Sequence, residues 1–165
     1  MQAEQLDRLD IKLLEALQVN GRQSNVELSA SVALSPSQCQ RRLRRLEAAG
    51  FVRGYVALLD RARLGLGVMA FVNVTLEQYG EDAMRAFARA IASSDEILEC
   101  WAATGESDYV MRVVARDLAS FSSFLLHRLL ALPMVASVKS NILLEGLKES
   151  TVLPLPRPGD AQHAG

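Results

Sequence analysis

The spacing of apolar residues changes near Phe51, and this change is the feature that most constrains the fold. Before it, apolar residues recur three and four positions apart, the period of an amphipathic helix. The clearest such set is Leu6, Leu9, Leu13, Leu14 and Leu17. After residue 67 they alternate along short runs, the period of a strand. A chain of 165 residues that shows both periods in succession predicts an α+β protein of two domains.

The first 50 residues carry the start and stop signals of three helices. The first helix stops at Asn20-Gly21, and the second spans about 25–32 with Ser24 as its N-cap. After the short turn ALS, a third helix runs from Pro36 to about residue 49 and stops at Gly50. Ser35 is its N-cap and forms a capping box with Gln38. Two short helices, a tight turn and a capped third helix predict a helix-turn-helix.

The third helix is strongly basic, although the whole chain has a net charge of −1. Residues 35–53 hold five arginines and a single acid, Glu47. A local basic patch on a near-neutral protein is typical of nucleic-acid contact. Cys39, Leu43 and Leu46 form the apolar stripe of this helix, so its other faces remain available.

These residue types predict a surface for double-stranded DNA. In a helix-turn-helix the first turns of the recognition helix reach base edges, which places Ser37, Gln38 and Arg41 there, while the other arginines hold phosphates. The predicted set comprises Ser35, Ser37, Gln38, Gln40, Arg41, Arg42, Arg44, Arg45 and Arg53. The alternative is a solvated helix face whose arginines pair with nearby acids, and Arg42 or Arg45 is open to pairing within the domain.

The second half of the chain reads β-α-β-β-α-β, the ferredoxin-like arrangement. The predicted strands and helices are 68–76, helix 81–92, 96–103, 109–115, helix 118–131 and 135–144. Residues 51–60 predict a strand that serves as a wing or tether. The expected domains are therefore a winged helix-turn-helix over 1–60, a βαββαβ domain over 61–153 and a flexible, Pro- and Gly-rich tail over 154–165.

The strands of this domain are apolar on both sides, as in Val68–Val74, where Met69 and Phe71 oppose the valines. A sheet with one solvated face alternates apolar with polar residues instead. The second face therefore predicts a partner, and we expect a homodimer through it.

Several classes of protein are not indicated by the sequence. The two cysteines, Cys39 and Cys100, are far apart, and the two histidines, His127 and His163, form no metal or acid–base set. Phosphate-binding and nucleophile motifs do not occur, so we expect no catalytic residues, no metal and no cofactor. No apolar run is long enough to cross a membrane, and the acidic N-terminal stretch is unlike a signal peptide, so we expect a cytoplasmic protein associated with the nucleoid.

Several stretches, in order and at the right spacing, are similar to one family. They are LDIKLLEALQVNGRQSNVELS, LSPSQCQRRLRRLEAAGFVRGYVALLD, LEC and TGESDY, the last of which fits a G-x-x-D-Y turn. From about Leu6 to Leu155 the chain resembles the Lrp/AsnC (feast/famine) transcriptional regulators. One departure is Ala33, where the family commonly has glycine; a left-handed backbone there costs alanine about 1 kcal/mol.

The resemblance implies a sequence-specific regulator whose DNA binding or assembly responds to an amino acid, with dimers that assemble into larger rings such as octamers. By position, the implied effector-binding residues are Ala102, Thr104, Gly105, Glu106, Asp108, Asn141 and Leu143. Backbone N–H groups of the glycine turn suit an α-carboxylate and Asp108 suits an ammonium group. Ala102 and Leu143 favour an apolar ligand such as leucine or methionine. The alternative is a simple hairpin turn, in which Asp108 bonds locally.

Two other functions stay open at this point. A protein that wraps DNA with low specificity has the same sequence features and differs in its preference for promoter over random DNA. A tetrapyrrole decarboxylase of the same architecture requires histidine and charged side chains that converge in the second domain, and His127 and His163 are poorly placed for this. We therefore expect a regulator and not an enzyme.

Overall fold

The computed structural model describes residues 6–77 and 80–156, and these divide into two units. The first unit joins the residues up to Ala57 to those from Lys148 onward, and the second spans Leu58–Leu147. Most of the tail expected over 154–165 lies outside the described residues. Residue 155 is described, and the side chain of Leu155 packs against the core of the first unit.

Among its described residues the first unit has three helices: α1 (Arg8–Val19), α2 (Asn25–Val32) and α3 (Pro36–Ala48). Their apolar stripes meet in one core, where Leu13, Leu28, Cys39 and Leu46 are fully buried. Each helix begins with a capping box, in which the side chain of the N-cap residue and that of the residue three positions later satisfy each other's backbone N–H. The box at Ser35 and the N-cap at Ser24 were expected, whereas the boxes at Ser24 and Asp7 were not.

The turn between α2 and α3 contains a left-handed alanine. Ala33 has φ 57° and ψ 45°, and it caps the C-terminus of α2 with a backbone N–H that donates to the Ser29 carbonyl. Alanine pays the steric cost that glycine avoids in this region. The left-handed backbone inferred from the sequence is therefore present, and the turn is formed at that cost.

The strand expected over 51–60 is not formed. Residues 52–60 have no regular secondary structure, and Val56, Leu58 and Leu59 are exposed. A strand requires a hydrogen-bonding neighbour, and the four-stranded sheet formed by the described residues does not include this segment. The apolar pattern was read correctly, but a single chain supplies no partner strand among the described residues.

The second unit has the predicted ferredoxin-like order. It comprises β1 (Val68–Leu76), α4 (Glu81–Ala92), β2 (Ile97–Ala102), β3 (Tyr109–Ala115), α5 (Leu118–Phe124) with a π-helical extension (Leu125–Leu129), and β4 (Val135–Ile142). The sheet order is β2-β3-β1-β4, with every neighbouring pair antiparallel. Val72 of β1 pairs with Met111 of β3 and with Ser140 of β4, which fixes the register of the central strands.

The two faces of this sheet differ. One face carries Ala70, Val72, Met111 and Val113, all fully buried in a core with Phe87 and Phe121 of the helices. The other face carries Phe71 on the central strand β1, 42% exposed, and Trp101 on the edge strand β2, 64% exposed. On β4 this second face is polar, with Ser137, Lys139 and Asn141 in register with β1. The expectation of two apolar faces therefore holds for β1 and not for β4.

Residues after the second unit return to the first. The backbone N–H of Leu153 donates to Gln18 Oε1 at 2.6 Å, and Gln18 Nε2 donates to the Leu153 carbonyl at 3.1 Å. These two bonds attach the chain after Lys148 to α1. No helix among the described residues is long and apolar enough to cross a membrane.

Candidate nucleic-acid interface and ligand cleft

Helix α3 has three distinct faces, because successive residues turn by about 100°. Cys39, Leu43 and Leu46 face the core. A second stripe holds Gln38, Arg42 and Arg45. The third stripe is exposed and contains Ser37, Gln40, Arg41 and Arg44. The four arginines that look alike in the sequence are thus split into two pairs with different surroundings.

The exposed stripe is the candidate DNA-reading surface. Within the described part of the chain, neither Arg41 nor Arg44 forms an ion pair, whereas the other two arginines of the helix do. Arginine is suited to bidentate contact with guanine and with phosphate, and serine and glutamine add hydrogen-bonding groups beside it. A helix with this stripe at its N-terminal half has the composition that major-groove binding requires.

Two predicted contact residues, Ser35 and Gln38, form hydrogen bonds with each other at the start of the helix. Gln38 Oε1 accepts from the Ser35 backbone N–H at 3.0 Å and from the Ser35 hydroxyl at 3.1 Å. The Ser35 hydroxyl in turn accepts from the Gln38 N–H at 3.3 Å. Ser35 therefore acts as a cap, and Gln38 has its amide nitrogen rather than its oxygen available for a base.

Arg42 and Arg45, predicted at phosphates, instead pair with acids of α1. Arg42 Nη1 donates to Asp7 Oδ2 at 2.6 Å and to Asp10 Oδ1 at 2.8 Å. Arg45 Nη2 pairs with Asp10 Oδ2. The structure places these two arginines in the ion pairing that the sequence left open, because their stripe faces α1. The same contacts raise the pKa of Arg42: hydrogen bonds to Asp7 and Asp10 act most strongly, against partial burial.

Past α3, the chain is held by one further contact. Gly50 has φ 78° and ends the helix as predicted, with the Phe51 N–H donating to the Leu46 carbonyl at 3.0 Å. The Tyr55 hydroxyl donates to Glu47 Oε1 at 2.8 Å, and partial burial together with this bond raises the pKa of Tyr55 to about 12. Arg53, predicted at a phosphate, is exposed on the segment between these two contacts.

The turn expected to bind an effector joins β2 to β3. Gly105 has φ 126°, a backbone conformation that only glycine adopts readily, and the Ala103 N–H donates to the Asp108 carbonyl at 2.9 Å across the turn. Asp108 Oδ2 accepts from the Leu76 N–H at 2.7 Å, at the end of β1. This carboxylate, predicted to accept from a ligand ammonium, is engaged in holding the turn to β1.

A cleft of about 240 Å³ lies beside this turn. It is lined by Asn73, Ala103, Thr104, Glu106, Ser107 and Lys139. Lys139 Nζ and Glu106 Oε2 are 3.6 Å apart, with both side chains largely exposed. A cation and an anion at this separation, beside hydroxyl and amide groups, match the two charges of an amino acid head group.

The structure brings together some of the predicted effector residues and not others. Thr104 and Glu106 line the cleft, and Gly105 shapes the turn between them. Asn141 lies on the same sheet face opposite Phe71, and the Leu143 N–H donates to the Met69 carbonyl at 2.8 Å. Neither Asn141, Leu143 nor Ala102 lines the cleft.

Sequence reasoning missed two lining residues, Asn73 and Lys139, which face each other across β1 and β4. Asn73 was detectable, since it is the single amide in the apolar run VMAFVNVTL. Lys139 required the register of β4, which no local pattern gives.

His127 lies on the π-helical extension, at the edge of a second cleft of about 340 Å³ between that extension and the end of α4. Its neighbour Arg128 is held by Glu96 at 2.7 and 2.8 Å. No group of histidine, cysteine and carboxylate side chains among the described residues is arranged to hold a metal ion.

Comparison with known families gives two matches along the chain. Residues 6–53 match a model described as winged helix-turn-helix DNA-binding, and residues 69–153 match the Lrp/AsnC ligand binding domain.

Individual proteins are similar over almost the whole chain. A leucine-responsive regulatory protein of Rhizobium meliloti is 40% identical over 146 residues, which are 88% of this chain and 94% of the relative. A Bkd operon transcriptional regulator of Pseudomonas aeruginosa is 38% identical over 151 residues, 92% of this chain and 99% of the relative. Among solved structures, a transcriptional regulator of Neisseria meningitidis in complex with L-Met has a TM-score of 0.88 and 45% identity, covering 91% of this chain and 97% of that one.

Proposed function

The chain belongs to the Lrp/AsnC family of transcriptional regulators, which are not enzymes, and we propose that it binds specific promoter sequences in response to an apolar amino acid. The observation that carries the proposal is the exposed stripe of α3, Ser37, Gln40, Arg41 and Arg44. It stands on a helix whose other faces are occupied by the core and by ion pairs. A regulator acting on chromosomal DNA works in the cytoplasm, at the nucleoid.

In this proposal the residues of the exposed stripe have different roles, set by their side-chain chemistry. Arg41, in the second turn of α3, reads a guanine edge, while Gln40 and Ser37 supply hydrogen bonds to neighbouring bases or phosphates. Arg44, one turn further, and Arg53, beyond the helix, hold the phosphate backbone. Each bidentate base contact contributes roughly 1–3 kcal/mol of discrimination, whereas phosphate contacts contribute affinity without sequence preference.

Fluorescence anisotropy on the protein's own promoter region, repeated as salt rises, tests the DNA-binding proposal. We expect affinity to fall steeply with salt, and to fall further in the double variant Arg41→Ala with Arg44→Ala. The matched control is Arg85→Ala with Arg89→Ala on α4, which removes two arginines outside the predicted surface. Affinity that is independent of salt, or unchanged in the α3 variant, contradicts the proposal.

The same titration against random DNA separates a specific regulator from an architectural protein. A regulator with base contacts from α3 binds its promoter at least a thousandfold tighter than random DNA. Equal affinity for both assigns the chain to low-specificity DNA wrapping.

For the effector we propose a free amino acid in the cleft beside Gly105. Lys139 binds the α-carboxylate and Glu106 accepts from the ammonium, while Thr104, Ser107 and Asn73 add hydrogen bonds. The exposed ion pair between Lys139 and Glu106 contributes little stability by itself, so a zwitterion displaces it at low cost. Phe71 lies two residues from Asn73 on the same sheet face and offers an apolar surface to the ligand side chain.

Similarity to a regulator solved with L-Met supports methionine or leucine as the ligand. A thermal-shift screen of the twenty amino acids tests this, because a ligand of the folded state raises stability by about 2.7 kcal/mol at a hundred times its Kd. We expect a shift with methionine or leucine that Lys139→Gln abolishes and Lys148→Gln, outside the cleft, retains. A thermal shift that Lys139→Gln leaves unchanged means that the ligand binds outside this cleft. The absence of any thermal shift contradicts an amino acid effector.

We further propose that the chain forms a homodimer through the sheet face that bears Phe71 and Trp101, and that dimers assemble into an octamer. Exposed aromatic side chains on one face of a sheet are typical of a covered interface. Sedimentation velocity tests this: the wild type is expected at eight chains, and Trp101→Glu is expected to dissociate the assembly. A monomeric wild type, or a variant that assembles unchanged, contradicts this interface.

A further inference from the structure

We propose that Asp10 is a positioning residue for DNA recognition, which holds Arg42 and Arg45 away from the DNA so that Arg41 and Arg44 alone supply the charge that α3 presents to it. This inference rests on the proposed function, since it concerns how the same helix meets DNA. It assigns opposite roles to arginines that are adjacent in sequence.

The carboxylate of Asp10 is enclosed by its hydrogen-bonding partners. Its side chain is completely buried, with 0% exposure. Oδ1 accepts from Arg42 at 2.8 Å, while Oδ2 accepts from Arg45 and from the Asp7 N–H, the latter at 3.1 Å. Both carboxylate oxygens are therefore occupied, by two arginines of α3 and by the start of α1.

Asp7 completes the arrangement from the surface. Its Oδ2 accepts from the same Arg42 Nη1 at 2.6 Å, and its Oδ1 accepts from the Leu9 and Asp10 N–H groups, each at 2.8 Å. Although partial burial opposes it, the bonds from Asp10 N–H and Arg42 lower the pKa of Asp7. Asp7 thus stays ionised at neutral pH and supplies a second negative charge to Arg42.

Burial determines which partner the arginines keep. A buried carboxylate that loses its cationic partners is strongly unfavourable, because it has been removed from water and nothing replaces the lost contact. A DNA phosphate approaches from the solvent side, where salt screens the attraction. Arg42, whose side chain is only 22% exposed, therefore stays with Asp10 when DNA binds.

The consequence is a smaller non-specific attraction than the sequence suggests. Arg42 and Arg45 are neutralised by Asp7 and Asp10, so the charge that α3 presents to DNA comes from Arg41 and Arg44. Phosphate contacts raise affinity for every sequence equally, whereas base contacts discriminate. Withholding two phosphate contacts therefore weakens binding to every sequence and lowers its dependence on salt, while the base contacts and the promoter-to-random ratio are unchanged.

The slope of log affinity against log salt measures this directly, since each phosphate contact contributes about 0.9 to it. In the full-length protein, Arg44→Gln is expected to reduce the slope by about 0.9 for each α3 bound. The matched variant Arg45→Gln removes the same charge one residue away but leaves Arg42 on Asp10. We expect it to lower the melting temperature and to leave the slope unchanged.

Asp10→Asn provides the converse test. It removes the buried charge that retains the two arginines, so we expect the slope to increase and promoter and random DNA both to bind more tightly, with their ratio unchanged. A purely structural role for Asp10 lowers thermal stability without increasing the slope or the affinity for random DNA. Circular dichroism confirms that the variant is folded before DNA is added.

The outcomes are decisive whether or not Asp10→Asn folds. Equal losses of slope in Arg45→Gln and Arg44→Gln overturn the inference, as does a folded Asp10→Asn with unchanged slope. If Asp10→Asn does not fold, the two arginine variants decide alone. A wild type that does not bind DNA refutes the proposed function instead, and is recognised before any variant is compared.

Discussion

The two units of this protein differ in how their secondary structure is specified. In the first unit, each helix is started by a capping box between residues three positions apart, so the signal is local. In the second, β1 pairs with β3 and β4, which lie dozens of residues further along the chain. A unit whose helices are specified locally can therefore still depend on distant contacts for its function. Acids at the start of α1 determine which arginines of α3 are held in ion pairs.

The largest expected effect comes from removing a buried side chain from one core at a time, which tests whether the two units unfold independently. Phe87 is buried and its ring lies 4.8 Å from that of Tyr109, so Phe87→Ala is expected to destabilise the second unit by about 3–5 kcal/mol. Urea unfolding followed by Trp101 fluorescence reports this unit, because Trp101 is the single tryptophan and lies on β2.

Leu46→Ala is the matched change in the first core, with an expected loss of about 2–5 kcal/mol. It should shift helical circular dichroism more than Trp101 fluorescence. If each variant shifts the fluorescence and circular dichroism transitions equally, the two units unfold as one. The difference between the units then does not extend to their stability.

A smaller change tests the local signals. Ser35→Ala removes the N-cap of α3, whose hydroxyl accepts from the Gln38 N–H, and should cost about 1 kcal/mol of the free energy of unfolding. Thermal denaturation measures this, with Ser35→Asp as the variant that retains a capping acceptor. Equal stability of Ser35→Ala and the wild type means that packing alone fixes the start of α3.

The left-handed turn offers a change of opposite sign. Ala33→Gly relieves the steric cost at φ 57° and should stabilise the first unit by about 0.5–1 kcal/mol. Ala30→Gly within α2 is the control, and it should destabilise by about the same amount. A destabilised Ala33→Gly indicates that the added freedom of the unfolded chain outweighs the relief.

The smallest effect concerns the segment after α3, which is held by the Tyr55 hydroxyl and has no regular secondary structure. Partial burial and the bond to Glu47 raise the pKa of Tyr55 to about 12. Because the folded value is raised, this contribution to stability is complete below pH 10 and is lost as pH rises towards 12. Ultraviolet titration should show a late-ionising tyrosine that Tyr55→Phe removes; a late phase that Tyr55→Phe leaves unchanged contradicts an anchored hydroxyl.

Most of the fold followed from patterns a few residues long. The bounds of α2, β1, α4 and β3 agree with the predicted ones, because periodicity and caps act locally. The strand expected over 51–60 was wrong for a different reason: apolar alternation shows that a segment favours pairing and does not supply a neighbour.

The candidate site was less accessible to sequence reasoning. Composition located the basic helix and the glycine turn, and it left open whether Arg42 or Arg45 pairs within the domain. The family resemblance implied Asp108 at a ligand, with local bonding as the alternative, and in the structure this carboxylate accepts from the Leu76 N–H, 32 residues away.

By itself, the sequence determined where helices begin, where the period changes and which surface is basic, since these depend on contacts within one or two turns. Only the tertiary structure decided which charges are available. Arg42 meets acids 32 and 35 residues earlier in the chain, and Asn73 meets Lys139 only in the register of β1 and β4. Charge is available for binding only where no buried partner holds it, and burial is a property of the packed molecule.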